Sequence, residues 1–121
     1  MKKILIVDDD HLMVDFISEC LKGDSYEVDT AFNGADGLAK ARSGGHDLLI
    51  LDLMMPDMHG FDVCEALRAE TNFKGLKILI SSGKAYDVDK KAAKRLGADG
   101  YLVKPFSVEQ LMTTVRGLVG A

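Results

Sequence analysis

With 121 residues the chain holds one domain with a real core and is too short for two. Hydrophobic residues at 47% and charged residues at 28% are the mix of an ordinary soluble globular domain. A net charge of -4 argues against bulk electrostatic binding to nucleic acid, and leaves only local basic patches for that purpose.

The chain opens on Lys2-Lys3 and four apolar residues, Ile4 to Val7. That run is shorter than the roughly 7 to 15 residues of a secretory signal. No other run approaches the roughly 18 residues of a membrane span, so a cytoplasmic protein is expected. Ile4 to Val7 is β-branched and apolar, and predicts a buried strand that stops at Asp8-Asp9-Asp10. Met13, Phe16, Ile17, Cys20 and Leu21 then recur at helical spacing, with Asp10 as N-cap and Gly23 as the stop. Leu12 and Val14 fall off that stripe and are expected to be exposed.

Tyr26 to Ala31 fits a second strand. Asn33 caps a second helix with Ala35, Leu38, Ala39 and Arg42 on one face, ended by Ser43-Gly44-Gly45. The run from 47 to 51 reads as a strand buried on both faces, and it delivers Asp52 at its carboxyl end. After a turn from Pro56 to Gly60, Phe61, Cys64 and Leu67 mark a third helix. Lys77 to Ser81 is a fourth strand, and residues 86 to 96 form a fourth helix with few apolar anchors: Val88, Ala92, Ala93 and Leu96. Gly100 to Val103 is a fifth strand. The last helix opens on a capping box, Ser107 with Gln110, and carries Val108, Leu111, Met112, Val115, Leu118 and Val119 at helical spacing. Cys20 and Cys64 lack metal-like spacing and read as reduced core thiols. Strand followed by helix five times over predicts an α/β domain with a doubly wound parallel sheet.

In such a sheet the strand ends gather at one edge, which is where ligands bind. Asp8 and Asp9 follow the first strand, Asp52 the third, Ser81 and Ser82 the fourth and Lys104 the fifth. Singly each has a plain structural role, as a helix cap, a turn cap or a solvated lysine. Together they make a pocket. Two carboxylates about 4 Å apart repel by roughly 4 kcal/mol at an effective dielectric near 20. A hard divalent cation removes the conflict, and Mg²⁺ suits a site with few protein oxygens. Asp9 and Asp52 would bind it directly, Asp8 through water, and a backbone carbonyl near Met54 would add a ligand. Phosphoryl transfer suits the same set, with Asp52 as nucleophile and Lys104 and Ser82 on the phosphoryl oxygens.

The segments Ile6-Val7-Asp8-Asp9, Leu51-Asp52-Leu53-Met54-Met55-Pro56-Asp57-Met58-His59-Gly60, Ile80-Ser81-Ser82-Gly83 and Gly97-Ala98-Asp99-Gly100-Tyr101-Leu102-Val103-Lys104-Pro105-Phe106 resemble the receiver domain of bacterial two-component response regulators, over the whole chain. The resemblance implies a flavodoxin-like (βα)5 fold with strand order 2-1-3-4-5, a single domain over residues 1-121. It implies Asp52 as acceptor of a phosphoryl group from a histidine kinase or a phosphotransfer protein, in a Mg²⁺-dependent reaction with no separate substrate. It also implies Asp8, Asp9, Asp52 and the Met54 carbonyl around the ion, Ser82 and Tyr101 as the switch pair, Lys104 as the phosphate-sensing lysine, and a cis Lys104-Pro105 bond. The switched face, made by the fourth helix, fifth strand and fifth helix, would control a downstream effector or a phosphorylation-dependent homodimer, without direct contact to nucleic acid or membrane. The basic residues Lys90, Lys91, Lys94 and Arg95 are either a solvated face or an output surface for an acidic partner.

Three positions depart from the family's pattern: Met54 and Lys84, which flank the route of the hydrolytic water, and His59, to which the sequence assigns no role. A phosphatase of the haloacid dehalogenase type, built on Asp8 and Asp10, is a competing reading. A flavin binder is disfavoured, because three acids after the first strand would repel the phosphate. A degenerate receiver used only for docking is disfavoured by the intact acid, serine and lysine set. With the last helix ending at the chain's end, either a stand-alone regulator or a receiver cut from a longer protein is expected.

Overall fold

The computed structural model describes residues 1–120. The strands are β1 (Lys3–Val7), β2 (Glu27–Ala31), β3 (Leu48–Asp52), β4 (Lys77–Ser82) and β5 (Gly100–Val103). They pair in parallel in the order β2-β1-β3-β4-β5. The helices α1 (His11–Gly23), α2 (Gly34–Gly44), α3 (Gly60–Arg68), α4 (Asp87–Arg95) and α5 (Val108–Val119) follow the strands in turn, and a 3-10 turn at Thr71–Phe73, which the sequence pattern did not signal, leads into β4.

Alternation along the strands divides the core. Ile4 and Ile6, Leu48 and Ile50, Leu79 and Leu102 pack against Val14, Ile17 and Leu21 of α1 and Leu111, Met112 and Val115 of α5. Leu5 and Val7, Leu49 and Leu51, Ile78 and Ile80 face Leu38 of α2 and Val63, Cys64 and Leu67 of α3. β1 and β3 lie inside the sheet, so both faces of each strand are covered, which is why their sequences are unbroken apolar runs.

Two expectations about α1 are corrected. Its inner line is Val14, Ile17, Ser18 and Leu21. Val14, expected outside, is 1% exposed, whereas Phe16 stands partly in solvent and Cys20 is only half-buried. The buried face is rotated because Ser18, small enough to fit beneath its neighbours, occupies a core position that apolar counting assigns to a larger residue. Leu12 is exposed as expected. The helix also runs through Gly23 to a cap at Asp24, and the left-handed position of the turn falls on Ser25 at φ 67°. Three caps follow the sequence: the Asp10 carboxylate accepts from the Leu12 and Met13 amides, Asn33 from Asp36, and the Ser107–Gln110 capping box is closed.

Arg68, at the end of α3, holds the lower part of the fold together. Its Nε donates to the Gly97 carbonyl at 2.8 Å, Nη1 to Phe73 at 2.6 Å, and Nη2 to Leu76 at 2.7 Å and to the Asp99 carboxylate at 2.9 Å. Asp99 in turn accepts from the Ile78 amide at 2.8 Å. One planar fork thus ties α3, the approach to β4 and the α4–β5 turn. Arg68→Ala leaves three carbonyls and an acid short of a donor, and is expected to destabilise the fold by about 2–4 kcal/mol, read as a lower urea midpoint. Arg68→Lys should recover less than half of that, since an ammonium cannot serve the fork.

Candidate functional site

The carboxyl edge of the sheet gathers the residues that the strand ends predicted. Asp8 follows β1 and is 2% exposed, and Asp52 closes β3 and is 8% exposed. Asp9 lies in solvent beside them. One carboxylate oxygen from each of the three lies within 4.8 Å of the others. Lys104, directly after β5, reaches across β3 and β4 to the same point: its Nζ is 2.9 Å from the Asp8 carboxylate and 3.3 Å from that of Asp52. The other Asp8 oxygen accepts from the Asp10 amide at 2.9 Å, which fixes the carboxylate's orientation.

One cation among three acids leaves the charge incompletely balanced. Burial pushes the Asp52 carboxyl above its ordinary pKa, the charge of Asp8 adds to the effect, and Lys104 offsets only part of it. Lys104 is shifted the other way in terms of charge. Burial works against its ammonium, but the hydrogen bond to Asp8 and the attraction of Asp52 outweigh burial and raise its pKa. The two directions agree: each acid has a fraction of a cation, whereas the lysine has two acids. A further hard cation therefore fits this oxygen-only donor set, on grounds of charge and ligand type.

Asp10 stands apart from the cluster, since its carboxylate caps α1. That removes the acid on which the dehalogenase-type reading depended.

Ser82 closes β4 and is buried. Its hydroxyl accepts from the Lys84 amide at 3.1 Å, and the Tyr101 hydroxyl donates to the Lys84 carbonyl at 2.9 Å. Ser82 and Tyr101 are therefore tied to the two ends of one residue. The Lys104–Pro105 peptide is cis. The Met54 side chain is 56% exposed on the loop that leaves Asp52, and Lys84 is exposed on the loop after Ser82. The Ser81 hydroxyl, beside Asp52 in the β3–β4 register, is buried without a hydrogen-bond partner among the described residues.

Two residues of the β3–α3 loop carry roles that the sequence did not disclose. His59 is the N-cap of α3, its Nδ1 accepting from the Phe61 amide at 3.0 Å. Its place directly before the helix could have signalled this. Asp57 accepts from the Gly34 amide at 2.9 Å and from Ala35 at 3.0 Å, so it caps the distant helix α2. Those amides, Ala35 first, hold its carboxyl below the ordinary range. No local pattern shows a cap whose helix begins 23 residues earlier in the chain.

The known proteins that this chain is similar to belong to one family. The response regulator receiver domain model matches residues 4–116. The response regulator ArlR of Staphylococcus aureus is 40% identical over 119 residues, covering 98% of this chain and 53% of ArlR. The chain thus spans about half the length of the curated relatives it matches. The chemotaxis response regulator CheY4 of Vibrio cholerae superposes with a TM-score of 0.93 at 37% identity, over 98% of both chains. The BeF3-activated DrrB receiver domain gives 0.88 at 27% identity, over 100% of this chain and 99% of that one. Phosphorylation and Mg²⁺ binding are characteristic of this family. The five-stranded order, the acidic edge with its bridging lysine, and a family match over nearly all its length place this chain among the response regulator receiver domains.

Proposed function

We propose that residues 1–121 act as a phosphorylation-controlled switch in which Asp52 accepts a phosphoryl group from the phosphohistidine of a histidine kinase or phosphotransfer protein. The observation that carries this reading is the Lys104 ammonium held between Asp8 and Asp52 at the sheet edge. An Asp52 oxygen attacks phosphorus as the phosphorus–nitrogen bond breaks, and the imidazole leaves with the electron pair. Lys104 is already within reach of the position the phosphoryl oxygens take up and pairs with one of them. The Ser82 hydroxyl, whose oxygen accepts from Lys84, keeps its own proton free to donate to another. Asp8, Asp9, Asp52 and the Met54 carbonyl would hold Mg²⁺, which supplies positive charge for the transferred group when bound.

The switch follows from the Lys84 tie. If Ser82 turns toward the phosphoryl group it releases the Lys84 amide, and the same residue's carbonyl is the acceptor that ties down the half-buried Tyr101. Helix α4 is cheap to move: of its residues only Ala93 is buried, and Val88, expected as an anchor, is 72% exposed. Beside it lies a cavity of about 290 Å³ lined by Lys90, Lys94, Asp99 and Tyr101. Its two lysines suit an acidic segment of the downstream effector.

Acetyl phosphate with Mg²⁺ should label the chain once, with the phosphoryl group mapped by mass spectrometry to the peptide holding Asp52. Label elsewhere, or none, overturns the assignment. The acyl phosphate is expected to be long-lived, because the apolar Met54 offers no hydrogen bond to orient a hydrolytic water. Met54→Asn should shorten its half-life severalfold at unchanged stoichiometry, and an unchanged decay rate counts against this role.

A further inference from the structure

We propose that Asp57 is a positioning residue: by clamping the β3–α3 loop to the start of α2 it fixes the Met54 carbonyl at the acidic pocket and so sets the affinity for the divalent cation. The inference rests on the receiver reading above. The loop leaves the pocket at Asp52 and returns at Gly60, whose amide donates to the Leu53 carbonyl at 2.8 Å. Gly60 lies so close that a Cβ there would collide with the Asp52 carbonyl oxygen. The loop's ends are therefore pinned. Between them Met54, Pro56 and Asp57 are exposed, and Leu53 and Met55 are buried. Asp57 supplies the loop's side-chain hydrogen bonds to α2, accepting from the Gly34 and Ala35 amides. Met58 packs on the same spot, since a Cβ at Gly34 would meet the Met58 Cβ at 2.6 Å. Asp57 and Met58 thus seat the loop on the start of α2. Without the clamp, residues 54 to 57 are free to sample conformations in which the carbonyl faces away from the pocket. Binding a cation then has to restore the order.

Calorimetric titration of Mg²⁺ into the full chain, without phosphodonor, tests this. Asp57→Ala should raise the dissociation constant about tenfold, the lower end of what losing an outer support of a metal site costs. Asp57→Asn keeps one acceptor oxygen and should fall between, and it carries the comparison if the alanine variant does not fold. Asn33→Ala supplies the control. It removes the other cap of α2, the bond from the Asp36 amide at 2.8 Å, and the Asn33 side-chain hydrogen bonds go to Asp36 and not to the loop. It should lower the melting temperature as Asp57→Ala does and leave Mg²⁺ affinity unchanged. Equal affinities for wild type and Asp57→Ala overturn the proposal, as does an equal loss in Asn33→Ala, which would trace the effect to α2 stability. A wild type that binds no Mg²⁺ overturns the receiver reading itself, a result distinct from either.

Discussion

Asp52→Asn is expected to abolish labelling by acetyl phosphate and, at neutral pH without Mg²⁺, to raise the melting temperature by a few degrees. The first effect is loss of the nucleophile, since an amide oxygen does not form the acyl phosphate. The second follows from the sign of the pKa shift. Burial and the Asp8 charge raise the Asp52 carboxyl above its unfolded value even with Lys104 beside it. Between the unfolded and the folded pKa the native state binds more protons than the unfolded chain, so stability falls as pH rises through that window. Above that window the wild type carries the full penalty, and the isosteric amide removes it. Below the window both carboxyls are neutral and the variants should converge. Mg²⁺ should close the gap from the other side, because it stabilises the wild type more than a variant that has lost a charged ligand. Thermal melts in EDTA and in Mg²⁺ across pH check all three. A lower melting temperature for Asp52→Asn in EDTA would mean that pairing with Lys104 outweighs burial and the Asp8 charge.

The parts of this molecule that sequence discloses are those fixed by short-range pattern. β1 and β3 are read correctly because strands covered on both faces must be apolar throughout, and the first acid after such a run must then stand at the sheet edge. Asp8, Asp52 and Lys104 are brought together by topology alone, since parallel strands all end on one side. Where the environment is set by distant chain, the pattern is silent. The partners of Asp57 lie 22 and 23 residues away, and the Gly97 and Asp99 partners of Arg68 lie 29 and 31 away. The face of α1 is misread for a different reason: a buried serine costs little when small, yet it counts as polar in any periodicity. The convergence of Asp8, Asp52 and Lys104 is more legible than the scaffold that holds them, because charge at a strand end is rare and charge on a loop is common.

Lys104→Met should behave as the opposite of Asp52→Asn. Methionine keeps the apolar stem and removes the ammonium, which leaves Asp8 and Asp52 buried without the cation that bridges them. Removing one partner of a buried charge cluster costs about 3–5 kcal/mol when burial is complete. The Lys104 side chain is 20% exposed, which places the expected loss nearer about 2–3 kcal/mol. The folded pKa of Lys104 is raised, so its contribution is fully present below the unfolded lysine pKa and is lost only as pH rises through the folded value. The deficit of the variant is therefore undiminished at neutral pH. It shrinks toward acid, as the raised Asp52 carboxyl takes up a proton and relieves the repulsion. Mg²⁺ should restore more stability to this variant than to the wild type, since the cation then supplies charge that the lysine no longer shares. Labelling should survive but slow by about 100-fold, the loss of one preorganised partner for the phosphoryl oxygens. An unlabelled but more stable Asp52→Asn beside a slowly labelled, less stable Lys104→Met would separate the nucleophile from its counter-charge. Equal stability of Lys104→Met and wild type in EDTA would show instead that solvent already screens the two acids.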